Sequence, residues 1–175
     1  MDLRSVRRRC EATLRAVRIP DPFDVTELAT VVSQRRGRPL RLLPKQTSAG
    51  PCGVWLALPD TDYVFYEPQT SALHRDHIVL HELGHLLREH EPNESLDDGV
   101  LAELFPGLDA EVVKRVLGRT SYSAVEEQEA EMIASLVSER VHQRTLAAPA
   151  SGSDPELVDR LQSTLGAQRR PARHG

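Results

Sequence analysis

The residues best suited to chemistry lie in the stretch HIVLHELGHLLREHEP, which begins at His77. Within it, His81 and His85 stand four residues apart, and Glu82 lies between them. In a helix, side chains four residues apart share one face with Cβ atoms roughly 5–6 Å apart, so both imidazoles can reach one ion at about 2.0–2.1 Å. Glu82 is rotated from the pair, where its carboxylate can exchange protons with an attacking water. The spacing predicts a zinc site with a general base beside it.

The alternative is a helix that carries two exposed histidines and binds no metal. Two features favour the metal site. The histidine pair lies in an otherwise apolar helix, where imidazoles need partners. Gly84 weakens such a helix by about 1 kcal/mol relative to alanine, so its presence predicts the close approach of another backbone.

A catalytic zinc takes three protein ligands and keeps one position open. The extended motif HExxHxxGxxH is absent, because Arg88 and Glu91 occupy the positions of its glycine and its third histidine. The third ligand must therefore come from elsewhere in the chain. The segment SYSAVEEQEAEMIAS, residues 121–135, offers four glutamates on one predicted helix.

These four glutamates have different expected roles. Glu126 is explained as the partner of Ser123 in a capping box. Glu129 is expected to point away from the apolar stripe of its helix. Glu127 and Glu131 both flank that stripe, and spacing alone does not separate them as ligands.

The remaining histidines are expected to lie outside the metal site. About 12 Å of helix rise separates His77 from His85, so His77 is expected to pack or to support a ligand rather than to bind the same ion. His74, His90 and His174 are expected at the surface, and His142 lies too far along its helix. Tyr122 is expected to pack, although its hydroxyl could also serve as an oxyanion donor.

Helix and strand signals predict an α+β fold around these residues. Helices are predicted at 2–17, at 25–36 between the N-cap Asp24 and Gly37, at 71–90 with Pro92 as the stop, at 109–117, and from the capping box at Ser123 onward. Strands are predicted at 40–43, 54–58 and 63–66, the last two as an antiparallel hairpin. We therefore predict a mostly helical domain over 1–146 with a small antiparallel three-stranded sheet beside the HExxH helix. A linker with a C-terminal helix over 147–167 and a disordered tail over 168–175 follow.

Composition sets broad limits on function. The chain has 175 residues and a formal net charge of −4, yet its first 45 residues carry eleven basic against five acidic side chains. These basic residues alternate with apolar ones and lack stacking aromatics, so we expect solvated helix faces rather than direct nucleic-acid binding.

The sequence also indicates the compartment. No apolar run is long enough for a signal peptide or a membrane span. Cys10 and Cys52 form no CxxC pair, which suits a reducing compartment. A cytoplasmic protein without membrane contact is expected.

Two motifs together resemble the ImmA/IrrE family of metallopeptidase-like proteins. HELGHLL, from His81, matches the family's HELGHxxL, and EQEAEMIAS, from Glu127, matches its second motif, an E-x-E-A pattern on a later helix. The resemblance covers about residues 54–140. It implies a zincin-like metallopeptidase domain in which His81, His85 and Glu127 bind Zn²⁺ and Glu82 is the catalytic base.

The same resemblance implies a function and a partner. The protein would be a zinc-dependent endopeptidase whose substrate is a protein, typically a helix-turn-helix transcriptional repressor that cleavage inactivates. The alternative is a zinc-binding regulatory partner of a repressor or toxin that binds without cleaving. A Glu82→Gln variant distinguishes the two, since only an enzyme loses its output while it keeps its partner.

Overall fold

The computed structural model describes residues 2–46, 52–57, 60–90 and 122–147. This part of the chain contains four helices and three strands: α1 Leu3–Arg15, α2 Val25–Arg36, β1 Leu40–Pro44, β2 Gly53–Ala57, β3 Asp62–Tyr66, α3 Ala72–Leu87 and α4 Ala124–Ala147. The predicted α+β class is confirmed. The helix predicted at 109–117 and the segments predicted beyond Ala147 lie outside the described residues.

The chain divides into two compact units between Val141 and His142. All that follows on the core and the site concerns the first unit, residues 1–141. The described part of the second unit is the exposed end of α4, residues 142–147. No helix in the described ranges combines the length and the apolar character needed to cross a membrane.

The ends of α2 follow their sequence signals. The Asp24 carboxylate accepts hydrogen bonds from the backbone N–H groups of Thr26 and Glu27, which satisfies donors that have no partner inside the helix. Gly37 ends the helix at φ 66°, a left-handed conformation that suits glycine. Helix α1 is shorter than predicted, since it ends at Arg15 rather than at residue 17.

The sheet is mixed, so the prediction of an antiparallel sheet was wrong for one of its two pairs. Strands β2 and β3 form the predicted antiparallel hairpin, with Trp55 opposite Val64. Strand β1 instead runs parallel to β3, with Leu42 opposite Val64. The order is β1-β3-β2, so β3 lies between the other two and returns in the direction of β1.

Helices cover one face of this sheet and form the main core with it. Trp55 and Val64 point into that core, where they join buried residues of all four helices. Its helical members are Val6, Cys10, Leu14, Leu28, Ala29, Val32, Val79, Leu80, Leu83, Leu86, Leu87, Ile133, Ala134, Leu136 and Val137. Alternate strand residues point to the opposite face, where Val54, Leu56 and Phe65 form a smaller cluster.

A buried carboxylate fixes α3 over the hairpin. Asp62 is 0% exposed and accepts hydrogen bonds from Arg36 Nε at 3.1 Å and Trp55 Nε1 at 3.2 Å. The same Arg36 donates through a second nitrogen to the carbonyl of Leu86 at 3.1 Å, in the last turn of α3. One ion pair therefore joins α2, both hairpin strands and the end of α3.

Helix α3 ends at Leu87, before the predicted end at residue 90. Glu89 adopts φ 55°, and the chain turns back so that the His90 N–H donates to the His85 carbonyl at 3.1 Å and the Glu89 N–H to the Leu86 carbonyl at 3.2 Å. These two bonds form a Schellman motif, which usually has glycine at the left-handed position. The sequence has no glycine there, so the pattern gave no sign of this turn.

Helices α3 and α4 are in backbone contact at Gly84, as its presence in the helix predicted. A Cβ at this position would lie 2.8 Å from the Ala130 carbonyl oxygen and 2.9 Å from the Ala130 Cα. Backbone atoms cannot move aside as a flexible side chain can. Gly84 therefore sets how closely the two helices approach.

We predict that Gly84→Ala destabilises the protein although alanine favours a helix by about 1 kcal/mol. Overpacking of this kind typically costs about 1–3 kcal/mol, and urea denaturation would measure the net loss. Gln128→Ala, at an exposed site on α4, is the control and should leave the midpoint nearly unchanged. A Gly84→Ala variant as stable as the parent protein would contradict the close contact.

Candidate metal centre

The two predicted motifs meet across the contact between α3 and α4. His81 and His85 lie on α3, and Glu127 lies on the first turn of α4. The capping box predicted at Ser123 fixes where α4 begins: the Ser123 N–H donates to Glu126 at 2.8 Å, and the Glu126 N–H donates to the Ser123 hydroxyl at 3.3 Å. Glu126 is thereby engaged at the helix end, and the next residue, Glu127, projects towards the histidines.

Three side chains converge on one point. His81 Nε2 lies 3.1 Å from His85 Nε2 and 3.2 Å from one Glu127 carboxylate oxygen, while the other Glu127 oxygen lies 3.9 Å from His85 Nε2. Ligands at about 2.0–2.1 Å from a tetrahedral zinc are about 3.3 Å apart, so these separations suit a single ion. Two imidazoles and a carboxylate are also a donor set that zinc accepts. The group His81, His85 and Glu127 could hold a metal ion.

Glu131 lies on the other side of His81. Its carboxylate is 3.1 Å from His77 Nε2 and 3.6 Å from His81 Nδ1, the ring nitrogen that faces away from the converging group. This geometry separates the two glutamates that spacing left open. Glu127 faces the proposed ion, whereas Glu131 can orient His81 from behind, and His77 pairs with Glu131.

His85 is the buried member of this group. Its side chain is 1% exposed, and burial together with the neighbouring His81 and His90 lowers its pKa to about 3. The imidazole therefore stays neutral at ordinary pH, which is the form that binds a metal.

Glu82 lies beside the ligands and is buried. Burial raises the pKa of its carboxyl group to about 8, against the opposing effect of a hydrogen bond with the backbone of Trp55. Gly53 makes room for this carboxylate, because a Cβ there would lie 2.7 Å from Glu82 Oε1. A carboxyl group with a pKa near neutrality can both take up and return a proton.

The four predicted site residues line one cleft of ≈ 300 Å³. Strand β2 forms one wall through Gly53, Val54 and Trp55, and α3 and α4 supply the ligands. Within the described sheet β2 is an edge strand. The edge of a sheet can pair with an extended peptide through backbone hydrogen bonds.

Tyr122 also lines this cleft. Its ring stacks on His85, with centroids 3.6 Å apart and an angle of 21° between the planes. Its hydroxyl is buried, and none of the described residues is hydrogen-bonded to it. Burial raises the pKa of this hydroxyl, so it is available as a proton donor at the site. The expected packing role and the donor role are therefore compatible.

Two sequence expectations were wrong. His90 was expected at the surface, and Glu129 was expected to point away from the apolar stripe of its helix, but their side chains are buried, at 6% and 5% exposed. Glu129 accepts hydrogen bonds from Arg9 at 2.8 Å and 2.6 Å, from Arg88 at 2.8 Å and from His90 at 3.1 Å. Burial alone would raise the pKa of Glu129, but these bonds outweigh it and lower the pKa to about 2. A charged glutamate is rarely buried without such partners. Those of Glu129 come from α1 and the turn after α3, which helical periodicity cannot reveal.

No family model, curated protein or solved structure matches this chain. The ImmA/IrrE resemblance stays a prediction that rests on the two motifs.

We predict that the purified protein binds one zinc ion and that Glu127→Gln weakens this binding at least about tenfold, because a neutral amide is a poorer ligand than a carboxylate. Elemental analysis gives the stoichiometry, and competition with a chelator gives the affinity. Glu126→Gln is the matched control, since glutamine also serves in a capping box. If Glu131→Gln lost zinc and Glu127→Gln kept it, the third ligand would be Glu131, and the assignment to Glu127 would be wrong.

Proposed function

We propose that this chain is a zinc-dependent endopeptidase of zincin-like type. The observation that carries the proposal is the convergence of His81, His85 and Glu127 in a cleft that also contains the buried carboxyl group of Glu82. Structural zinc sites are usually closed by four protein ligands, whereas catalytic sites use three. Within the described ranges, three side chains converge beside a buried carboxyl group, and this number favours catalysis.

Each residue has a distinct task in this proposal. His81 and His85 would hold zinc through Nε2, and Glu127 through its carboxylate. Zinc, when bound, supplies a Lewis acid that polarises a carbonyl group and makes water a better nucleophile near neutral pH. Glu82 takes a proton from the attacking water onto its carboxylate and returns it to the amine that leaves. Its contact with the Trp55 backbone keeps the carboxylate facing the cleft.

Tyr122 would stabilise charge that develops on the substrate. A donor that is already in place where negative charge appears lowers the barrier more than one that must reorganise. The Tyr122 hydroxyl is buried, and its ring is held against His85. It would donate to the oxygen of the scissile carbonyl.

The substrate in this proposal is a protein segment in extended form. Strand β2 lies at the cleft and at the sheet edge, so a peptide can lie along it and present its carbonyl to the ligands. The motif resemblance further suggests a helix-turn-helix repressor as the substrate. A non-catalytic partner of a repressor or toxin is the alternative, which the following experiment distinguishes.

We expect Glu82→Gln to keep the fold and the zinc while hydrolysis falls about 10²- to 10⁴-fold, because the amide cannot accept the proton. The assay mixes the purified protein with a helix-turn-helix regulator encoded by a neighbouring gene and follows fragments by mass spectrometry. Wild type with a chelator is the second arm, and zinc content is measured for both proteins.

Two outcomes would contradict this proposal. Equal cleavage by wild type and Glu82→Gln would show that Glu82 is not the base. Stable binding of the regulator without cleavage by either protein would favour the non-catalytic partner.

A further inference from the structure

A continuous line of contacts runs from the buried Glu129 to the ligand His85. Glu129 Oε2 lies 3.1 Å from His90 Nε2, and His90 Nδ1 lies 3.0 Å from His85 Nδ1. The other nitrogen of His85, Nε2, is the one that faces His81 and Glu127. All three members of this line are buried.

The line determines where the protons are. A carboxylate can only accept a hydrogen bond, so Glu129 favours the proton of a neutral His90 on Nε2. His90 Nδ1 is then an acceptor, and its contact with His85 Nδ1 requires a proton on that nitrogen. His85 Nε2 is left without a proton, with its lone pair directed at the proposed ion. The hydrogen bond at one ring nitrogen thus selects the tautomer at the other.

The chain holds both ends of this line in place. The turn after α3 brings His90 back against His85 through the bond from the His90 N–H to the His85 carbonyl. That turn requires Glu89 at φ 55°, a left-handed conformation that is unfavourable for a residue other than glycine. At the other end, Arg9 binds one oxygen of Glu129 and Arg88 binds the other. Arg88 also donates to Thr13 on α1 at 3.2 Å.

We propose that His90 and Glu129 are positioning residues that fix the tautomer and orientation of the metal ligand His85. This inference rests on the proposed metal site and assigns that site two supports: Glu129, which belongs to the second motif, and His90, which lies outside both motifs. Ligating histidines commonly donate their second ring nitrogen to a carboxylate or carbonyl, and loss of such a partner typically lowers metal affinity about 10- to 100-fold. Here a second histidine stands between the ligand and the carboxylate.

The test compares two substitutions of His90. His90→Leu removes the acceptor but leaves Glu129 with both arginines. His90→Asn places an amide oxygen near the position of Nδ1, so it can still accept from His85. We expect the zinc affinity, measured by competition with a chelator, to fall about 10- to 100-fold in His90→Leu and substantially less in His90→Asn. The control is His74→Leu, which changes an exposed histidine on α3 and should have no effect.

A second measurement needs no metal. Long-range ¹H–¹⁵N spectra of the metal-free protein report the tautomer of each histidine. We expect the His85 proton on Nδ1 and the His90 proton on Nε2. Glu129→Gln, whose amide can donate to His90 Nε2 as well as accept from it, should make this preference weaker. Urea denaturation of every variant shows whether the variant is still folded. A change in tautomer preference can then be distinguished from unfolding.

The outcomes separate this inference from the metal site itself. A wild-type protein that binds no zinc would overturn both. Normal zinc binding by wild type with unchanged affinity in a folded His90→Leu variant would overturn the positioning role alone. So would a His85 proton found on Nε2 in the metal-free protein. Equal losses in His90→Leu and His90→Asn would show that packing, not the hydrogen bond, supports His85.

Discussion

The site depends on the close contact of two helix backbones at Gly84 and Ala130. Short side chains here allow α3 and α4 to approach until the carboxylate of Glu127 reaches the imidazoles of His81 and His85. Glu127 follows His85 by more than 40 residues in sequence, so no local preference could bring it to the two histidines. A wider spacing between the helices would leave three ordinary polar side chains in place of a potential metal site.

A buried ion cluster stabilises this arrangement from behind. Glu129 on α4 accepts hydrogen bonds from Arg9 on α1 and from Arg88 at the end of α3. A buried carboxylate without such partners would be strongly unfavourable, so the cluster specifies how the three helices must meet. The thiol of Cys10 adds a contact to the Glu129 carbonyl at 3.6 Å, which places this cysteine in packing rather than in chemistry. The acidic motif on α4 therefore uses alternate glutamates in two ways: Glu127 faces the cleft, and Glu129 faces α1.

Local signals allowed much of the fold to be predicted. Asp24, Gly37 and the Ser123–Glu126 pair mark helix ends through short-range hydrogen bonds, and the turn between β2 and β3 marks a hairpin. The HExxH spacing similarly predicts two ligands and a base, because all three residues belong to one helix. The sheet order could not be predicted in this way, because the pairing of β1 with β3 joins residues that are not neighbours in sequence.

The site residues that sequence reasoning placed wrongly share a cause. His90 was assigned to the surface because a continued helix would carry it past the core, but the left-handed Glu89 reverses the chain. Glu129 was expected to point away from the apolar stripe of its helix, and its burial was missed because its partners lie 120 and 41 residues away in sequence. Glu127 and Glu131 differ by one turn of helix, and only the relative rotation of α3 and α4 shows which one faces the ligand nitrogens. Tertiary contacts decided each of these cases.

Helix α1 is attached to the site region through Arg9 and Thr13, so the part of the chain needed for function extends beyond the two motifs. The two motifs span only residues 81–135, and a shortened protein designed around them could begin at the hairpin. Such a fragment would keep every group that lines the cleft. It would nevertheless leave Glu129 with one arginine fewer and Arg88 without its hydroxyl partner. The first helix is therefore part of the smallest unit in which the ligand geometry can persist, although it contributes nothing to the cleft itself.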